Sequence, residues 1–351
     1  MKNFAIQTIR FALCAAIMLM LVSCASTGPQ NNSFVSDSGT KPVWPQPPKT
    51  SRIQYVKSLT GPADAGIRKT WYKKTIDTIF GKDEFEGIIL RPYGVFVDAD
   101  RIYVTDPGLQ TVHVFDLRKQ KYLKIRKADS EGLVSPIGIA VDEKDNIFIT
   151  DSAPGRVFVF DREGNYLREI GSADLFRRPS GIAVFEDRVY VVDTHNHHVL
   201  VFSKEDGSML FSFGRQGKEK GEFNYPTNIS ISRNGNVYIS DSMNFRAQVF
   251  DRNGKILSVF GKHGDGSGDM SKPKGISVDS EGHIYISDAH FDNVQIFDGN
   301  GEFLLDFGNT GSEEGQMILP AGIFIDGNDR IYVADSYNRR VQIFQYLKEN
   351  K

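Results

Sequence analysis

The sequence predicts an all-β fold made of six copies of one four-stranded unit, and three observations carry that reading. A block of about 47 residues recurs six times, each copy reading roughly Pro-x-Gly-Ile-x-Val-Asp, then Ile-Tyr-Val-x-Asp, then Val-x-Val-Phe-Asp. Each copy holds four short apolar runs with period-two alternation, as over 276–278, 284–287, 294–297 and 303–307. No run is long enough for a core helix. One four-stranded sheet cannot bury both faces, so the copies must stack face to face, and units of this length do so radially. The expectation is a six-bladed β-propeller of antiparallel blades.

In chain order, Lys2 and Arg10 precede an apolar run over 11–22, too short to span a bilayer comfortably and of the length of a secretory signal peptide. The run ends in Leu21-Val22-Ser23-Cys24, which resembles a bacterial lipobox. That resemblance implies cleavage after residue 23, acylation of Cys24 and attachment to a membrane through several chains. Ala25, rather than Asp, resembles lipoproteins sent to the outer membrane of Gram-negative bacteria, so the expected location is extracytoplasmic and lipid-anchored there. A cleaved signal peptide with an incidental cysteine is the alternative. Cys14 leaves with residues 1–23, so the mature chain has one cysteine and no intramolecular disulfide. Residues 24–50 are rich in Ser, Asn, Gln, Gly and Pro and read as the lipidated cysteine followed by a disordered tether.

The propeller is assigned to 51–346, with the six repeats over 91–344 and a short charged tail at 347–351. The sixth copy ends without an outer strand. The alternating stretch 52–60 stands outside the copies and is assigned as that missing strand, closing the ring. Over 63–80, Ile67, Trp71, Ile76, Ile79 and Phe80 form an approximate stripe opposite Lys69, Lys73 and Lys74, which predicts one added amphipathic helix ending at Gly81. Within each copy the breaks carry turn chemistry, such as Asp279-Ser280-Glu281-Gly282 and Asp298-Gly299-Asn300-Gly301.

The connections between copies are also regular. Phe213-Gly214, Phe260-Gly261 and Phe307-Gly308 each begin a glycine-bearing segment that ends on Phe223, Met270 or Met317 shortly before the next Pro. Together with the six motifs, this resembles the NHL repeat of six-bladed propellers over residues 91–344. The departures are local: Asn228 stands where the other copies have Gly, and blades one and two have a poorer fourth strand and fewer linking glycines.

Residues shared by every copy read as scaffold, and residues that break the pattern are the functional candidates. The closing aspartates Asp106, Asp151, Asp193, Asp241, Asp288 and Asp335 are expected to accept hydrogen bonds from turn amides, with Asn244, Arg246, Asn338 and Arg340 structural as well. The residues after the aligned prolines should enter the central tunnel: Tyr93, Ile137, Ser180, Thr227, Lys274 and Ala321. Tyr93, Ser180, Thr227 and Lys274 are the candidate ligand contacts at its mouth. The six-bladed amidating lyases, which this fold resembles, place zinc-binding histidines at that kind of position, and this chain has none there.

His195, His197 and His198 in blade three and His290 in a matching loop of blade five are candidate metal ligands, though no carboxylate or thiolate set completes a recognisable pattern. Gly264-Asp265-Gly266-Ser267-Gly268-Asp269 superficially resembles a calcium loop but lacks the Glu an EF-hand requires. No cofactor is demanded by the sequence; zinc and calcium stand as secondary readings. Net charge is −2, no basic tract stands out, and nucleic acid is not an expected partner. The reading is a binding or assembly module for a protein, peptide or glycan, more than an enzyme. The alternative is a metal-assisted lyase or hydrolase built on the loop histidines.

Overall fold

The computed structural model describes residues 41–67, 87–98, 100–171 and 174–348. Six antiparallel sheets make a six-bladed propeller, and in five of them the strands lie side by side in chain order. Blade four is representative, with Pro226–Ile231, Val237–Asp241, Arg246–Phe250 and Ile256–Phe260. The apolar alternation that predicts these strands supplies the faces that pack between blades. One such layer joins blades five and six through Tyr285, Val294, Phe307, Met317, Ile323 and Phe344. The connection residues Phe223, Met270 and Met317 are fully buried, each wedged into an inter-blade core.

The ring closes as expected. Ile53–Leu59 pairs antiparallel with Arg340–Tyr346 and becomes the fourth strand of blade six. Its inward side chains Ile53, Tyr55 and Leu59 are buried at 0%, 3% and 0% exposure. Chain beyond Tyr346 is also held, since Leu347 N donates to Arg52 O at 2.7 Å and Lys348 pairs with Asp329 at 2.7 Å.

Two expectations change. The tether was assigned to 24–50, but Val43–Trp44 adds a fifth strand to blade six by pairing with Gln54 and Ile53. Trp44 packs its ring 5.9 Å from both Phe307 and Phe344, so apolar burial draws this Pro-flanked segment onto the edge. The propeller unit therefore starts at Lys41 rather than at 51. The helix expected over 63–80 does not start at Ala63: residues 61–66 form turns, closed by Gly66 N to Ala63 O and Ile67 N to Pro62 O, each 2.9 Å. Residues 68–80 of that assignment lie outside the described residues. In blade one, a small hairpin of Lys127–Ala128 with Glu131–Gly132 occupies the connection that has fewer glycines.

Close approach of the innermost strands sets the tunnel width. Gly94, Gly138, Gly181, Gly275 and Gly322 each face the backbone of the next blade, and a Cβ on Gly275 would stand 2.5 Å from Ala321 O. Hydroxyls from the second strands cross the same junctions, Thr105 Oγ1 to Ile137 O at 2.7 Å and Thr150 Oγ1 to Ser180 O at 2.6 Å. Blade four departs here. Asn228 replaces the glycine, and the buried Ser240 Oγ has no hydrogen-bond partner among the described residues. The blade four to five link is made instead by Thr227 Oγ1, which donates to Lys274 O at 3.0 Å.

Candidate functional site

The closing aspartates position the segment that surrounds one end of the tunnel. Asp106 accepts from the amides of Leu90 (2.6 Å) and Arg91 (3.1 Å), Asp193 from Arg177 (2.7 Å) and Arg178 (2.9 Å), and Asp288 from Ser271 (2.8 Å) and Lys272 (3.0 Å). These carboxylates are fully buried, and each fixes the backbone of the residues just before an aligned Pro. In blade six, Asn338, Arg340 and Gln342 also donate to Asp335, at 2.8, 2.8 and 3.0 Å, and Arg340 reaches on to the carbonyls of Glu313 and Gln316. Blade four repeats the arrangement with Asn244, Arg246 and Gln248 on Asp241. These groups are scaffold, as the repeat implies.

Blade one uses a different donor. His113, fully buried, stands where blades four and six have Gln248 and Gln342, with Nε2 3.3 Å from Asp106 and Nδ1 2.6 Å from the Tyr122 hydroxyl. Burial pushes the Asp106 carboxyl up, but hydrogen bonds from His113 and from the Leu90 and Arg91 amides more than offset it and hold the pKa below the ordinary value. In Asp241 and Asp335 burial outweighs the hydrogen bonds, and the pKa lies above it.

The tunnel itself is a cavity of about 130 Å³ walled by Ile137, Ile182, Ile229, Ile276 and Ile323. That is below the ~300–1,000 Å³ of an ordinary small-molecule site, so a ligand of any size must be met at the mouth. Of the six residues expected to enter the tunnel, Tyr93, Ile137, Ser180 and Thr227 line the cavity. Ser180 Oγ lies 2.7 Å from Thr194 Oγ1, and Thr227 serves the blade junction, so both hydroxyls are committed to the scaffold. Lys274 reaches across the mouth and places Nζ 5.3 Å from the Tyr93 ring centroid. Blade six carries only Ala321 at the intervening position, which leaves room for that crossing.

The Tyr93 hydroxyl and the Lys274 ammonium make no hydrogen bond or ion pair among the described residues. Burial, and after it the charge of Arg178, hold the Lys274 pKa below that of an ordinary lysine. Burial raises the Tyr93 phenol, against a smaller lowering effect of the Arg178 and Lys272 charges. The sequence comparison of blades singled out Tyr93 and Lys274 but passed over Arg178 and Lys272. Their position one residue before Pro in blades three and five was the available signal.

The candidate metal residues are taken up by local contacts, two of them sharing Tyr225. His195 Nε2 lies 3.3 Å from the Arg178 guanidinium, while the Tyr225 amide donates to His197 Nδ1 at 3.0 Å. Both rings pack against Tyr225, at 5.7 and 4.7 Å. Burial, then Arg178 and Arg177, hold the His195 pKa below the ordinary histidine value, which leaves it neutral at pH 7. Burial likewise lowers His198. His290 is on the blade five loop and packs on Phe291 at 5.9 Å. Among the described residues no group of three or more His, Cys, Asp or Glu stands together in a metal-holding cluster. In the candidate calcium loop, the Asp269 carboxylate turns onto its own loop and accepts from Gly266 N at 3.1 Å.

Comparisons with known proteins agree with this architecture. A family model described as a six-bladed beta-propeller matches residues 172–246, and the NHL repeat model matches 133–160 and 318–344. The Drosophila melanogaster protein brain tumor is 34% identical over 80 residues, which is 22% of this chain and 8% of that protein, so the chain spans under a tenth of that relative's length. Among solved structures, an auxiliary nutrient binding protein from Bacteroides thetaiotaomicron is 15% identical with a TM-score of 0.58, covering 74% of this chain and 69% of that one. A virginiamycin B lyase from Staphylococcus aureus is 14% identical with a TM-score of 0.53, covering 73% and 95%. A gluconolactonase from Xanthomonas campestris is 14% identical with a TM-score of 0.56, covering 74% and 86%. At such identities the likeness is one of fold, and the differing activities show that the fold does not select one.

Proposed function

For a chain that carries NHL repeats in a six-bladed propeller, we propose the role of a lipid-anchored, extracytoplasmic binding or assembly module. Its loop-rich face, centred on the tunnel mouth, takes a protein, peptide or glycan partner. The observation that carries this reading is the pairing of a tunnel too narrow to admit a ligand with a mouth whose Tyr93 and Lys274 polar groups have no hydrogen bond among the described residues. Exposed rings surround it: Tyr225 is 42% and Tyr337 60% exposed, and large amphipathic rings are the side chains that dominate binding surfaces. The metal-assisted lyase or hydrolase draws less support, because His290 lies on a loop two blades from His195, His197 and His198, and His197 Nδ1 already accepts an amide.

Crosslinking of the full chain in membranes, followed by quantitative capture, tests the module. Tyr225→Ser with Tyr337→Ser should cut partner recovery by about tenfold or more, the equivalent of one lost aromatic anchor. Leu257→Ser on the outer edge of blade four, 51% exposed, should leave recovery unchanged. Equal recovery from both variants places the contact elsewhere and defeats the reading.

The anchor rests on the Leu21-Val22-Ser23-Cys24 pattern, which lies outside the described residues, and no described helix is long and apolar enough to cross a membrane. Cys24→Ser should move the protein from the membrane pellet to the soluble fraction after a high-salt wash, because the acyl chains are the attachment. Tight membrane retention of that variant would show that another element holds it.

A further inference from the structure

The outward side chains at the tunnel mouth include four cations, standing above buried carboxylates that accept from the main-chain amides of Arg91, Arg178 and Lys272. Three positions in each blade ring this end: the residue before the aligned Pro, the residue after it, and the second residue past the closing aspartate. Across all blades none of them is Asp or Glu, whereas Arg91, Arg178, Lys272 and Lys274 are among them. The chain as a whole carries a net charge of −2, so this is a local concentration rather than a basic surface. None of the four makes an ion pair among the described residues. Arg178 lies against the His195 ring, Arg91 lies 5.9 Å over the Tyr337 ring, and Lys274 lies over Tyr93.

The aspartates beneath are taken up by main-chain amides rather than by these side chains, so the cations still repel one another, and a bound anion relieves that cost. The cations stand on blades one, three and five and are therefore spread around the mouth, which suits a ligand with repeated charges lying across it. The Tyr225 and Tyr337 rings, open on the same face, offer flat apolar surfaces with polar tips beside those charges. That combination fits a sugar ring bearing a carboxylate better than a flexible acidic side chain.

We propose that Arg178 and Lys272, each preceding an aligned Pro at the tunnel mouth, and Lys274, lying over Tyr93, form a carboxylate-recognition site for an acidic oligosaccharide of uronic-acid type. This deepens the binding-module reading and rests on it. Arg178 supplies a planar fork that can take one carboxylate bidentately, and Lys274 a point charge that gains full hydration-like contact only when an anion arrives.

Calorimetric titration of the full chain at low salt, with a galacturonic acid hexamer, a neutral galactose hexamer and hexaglutamate as probes, tests the site. The acidic hexasaccharide should bind, with the neutral hexamer and hexaglutamate each at least about tenfold weaker. Arg178→Gln and Lys274→Met should each weaken it about tenfold or more at an unchanged melting temperature, while Lys255→Met, exposed on a turn between the outer strands, should change nothing. Affinity should fall with added salt, and fall again as pH rises through the depressed pKa of Lys274, at lower pH than for an ordinary lysine. No binding of the acidic hexamer at about 1 mM, equal binding of the neutral hexamer, or insensitivity to both variants overturns the site. Hexaglutamate binding as tightly as the sugar overturns the ligand class. If the acidic probes fail while crosslinked capture still depends on Tyr225 and Tyr337, the binding module stands and this site does not.

Discussion

Deleting residues 41–59 should lower the melting temperature by about 15–30 °C or abolish folding. Ile53, Tyr55 and Leu59 are each buried to 3% exposure or less against blade six and its neighbours, and truncating one such side chain costs about 2–5 kcal/mol. Three together come to about 6–15 kcal/mol, and each kcal/mol moves the midpoint of a domain this large by roughly 2–4 °C. The deletion also strips the edge of Arg340–Tyr346, leaving a row of unpaired backbone groups open to other chains. Ile53→Ala and Tyr55→Ala provide versions that keep the chain intact, each expected to lower the midpoint by about 5–15 °C. A deletion that melts within about 5 °C of the parent would mean that the ring is not held shut by this strand.

The second large effect should come from a single methyl group. Gly322 faces the start of blade one, its amide donating to Tyr93 O at 2.8 Å, and a Cβ there would stand 2.5 Å from that oxygen and 3.2 Å from Gly94 Cα. Backbone on both sides cannot yield as a flexible side chain would. Gly322→Ala must therefore push blades six and one apart, adding about 1–3 kcal/mol of overpacking to about 1 kcal/mol for the weakened hydrogen bond. The expected loss is a midpoint lower by about 5–15 °C. Gly299→Ala is the control: its Cβ meets only Gly282 O at 3.9 Å, and stability should stay within about 0.5 kcal/mol. Equal midpoints for the two variants would show that the inner strands are not packed at backbone contact.

The blades were legible because repetition multiplies weak signals: one Ile-Tyr-Ile-Ser-Asp is ambiguous, but six aligned copies specify register, turn and inner edge. Ile53–Leu59 was legible for the same reason, as the stretch that fills the one strand the count lacks. Val43–Trp44 was not, since a two-residue strand among prolines has no period to read, and Trp44 alone hinted at an apolar seat. The stripe over 63–80 illustrates the opposite error. Helical spacing from Ile67 onward says nothing about where the chain enters it, and Gly61 and Pro62 begin a set of turns instead. At the mouth, alignment exposed Tyr93 and Lys274 because both break the pattern at one position. Arg178 and Lys272 join them only through the curvature of the ring, which brings blades three and five to the same axis and has no counterpart in linear spacing. The histidines of blade three show the reverse: closeness in sequence, and even a shared contact with Tyr225 for His195 and His197, brings no group of three metal-ligating side chains together among the described residues.

The buried aspartates hold the mouth through main-chain amides, and an amide is the same whatever side chain it bears. Arg91, Ser135, Arg178 and Lys272 occupy equivalent places on that fixed frame and differ in charge, size and polarity, whereas the amides of Tyr225 and Leu319 turn to His197 and Asp292. Any of these four can be exchanged while its amide still meets the carboxylate beneath it. The propeller thus separates heritable shape from heritable chemistry: a lineage can change what it recognises one residue at a time, and each intermediate still folds.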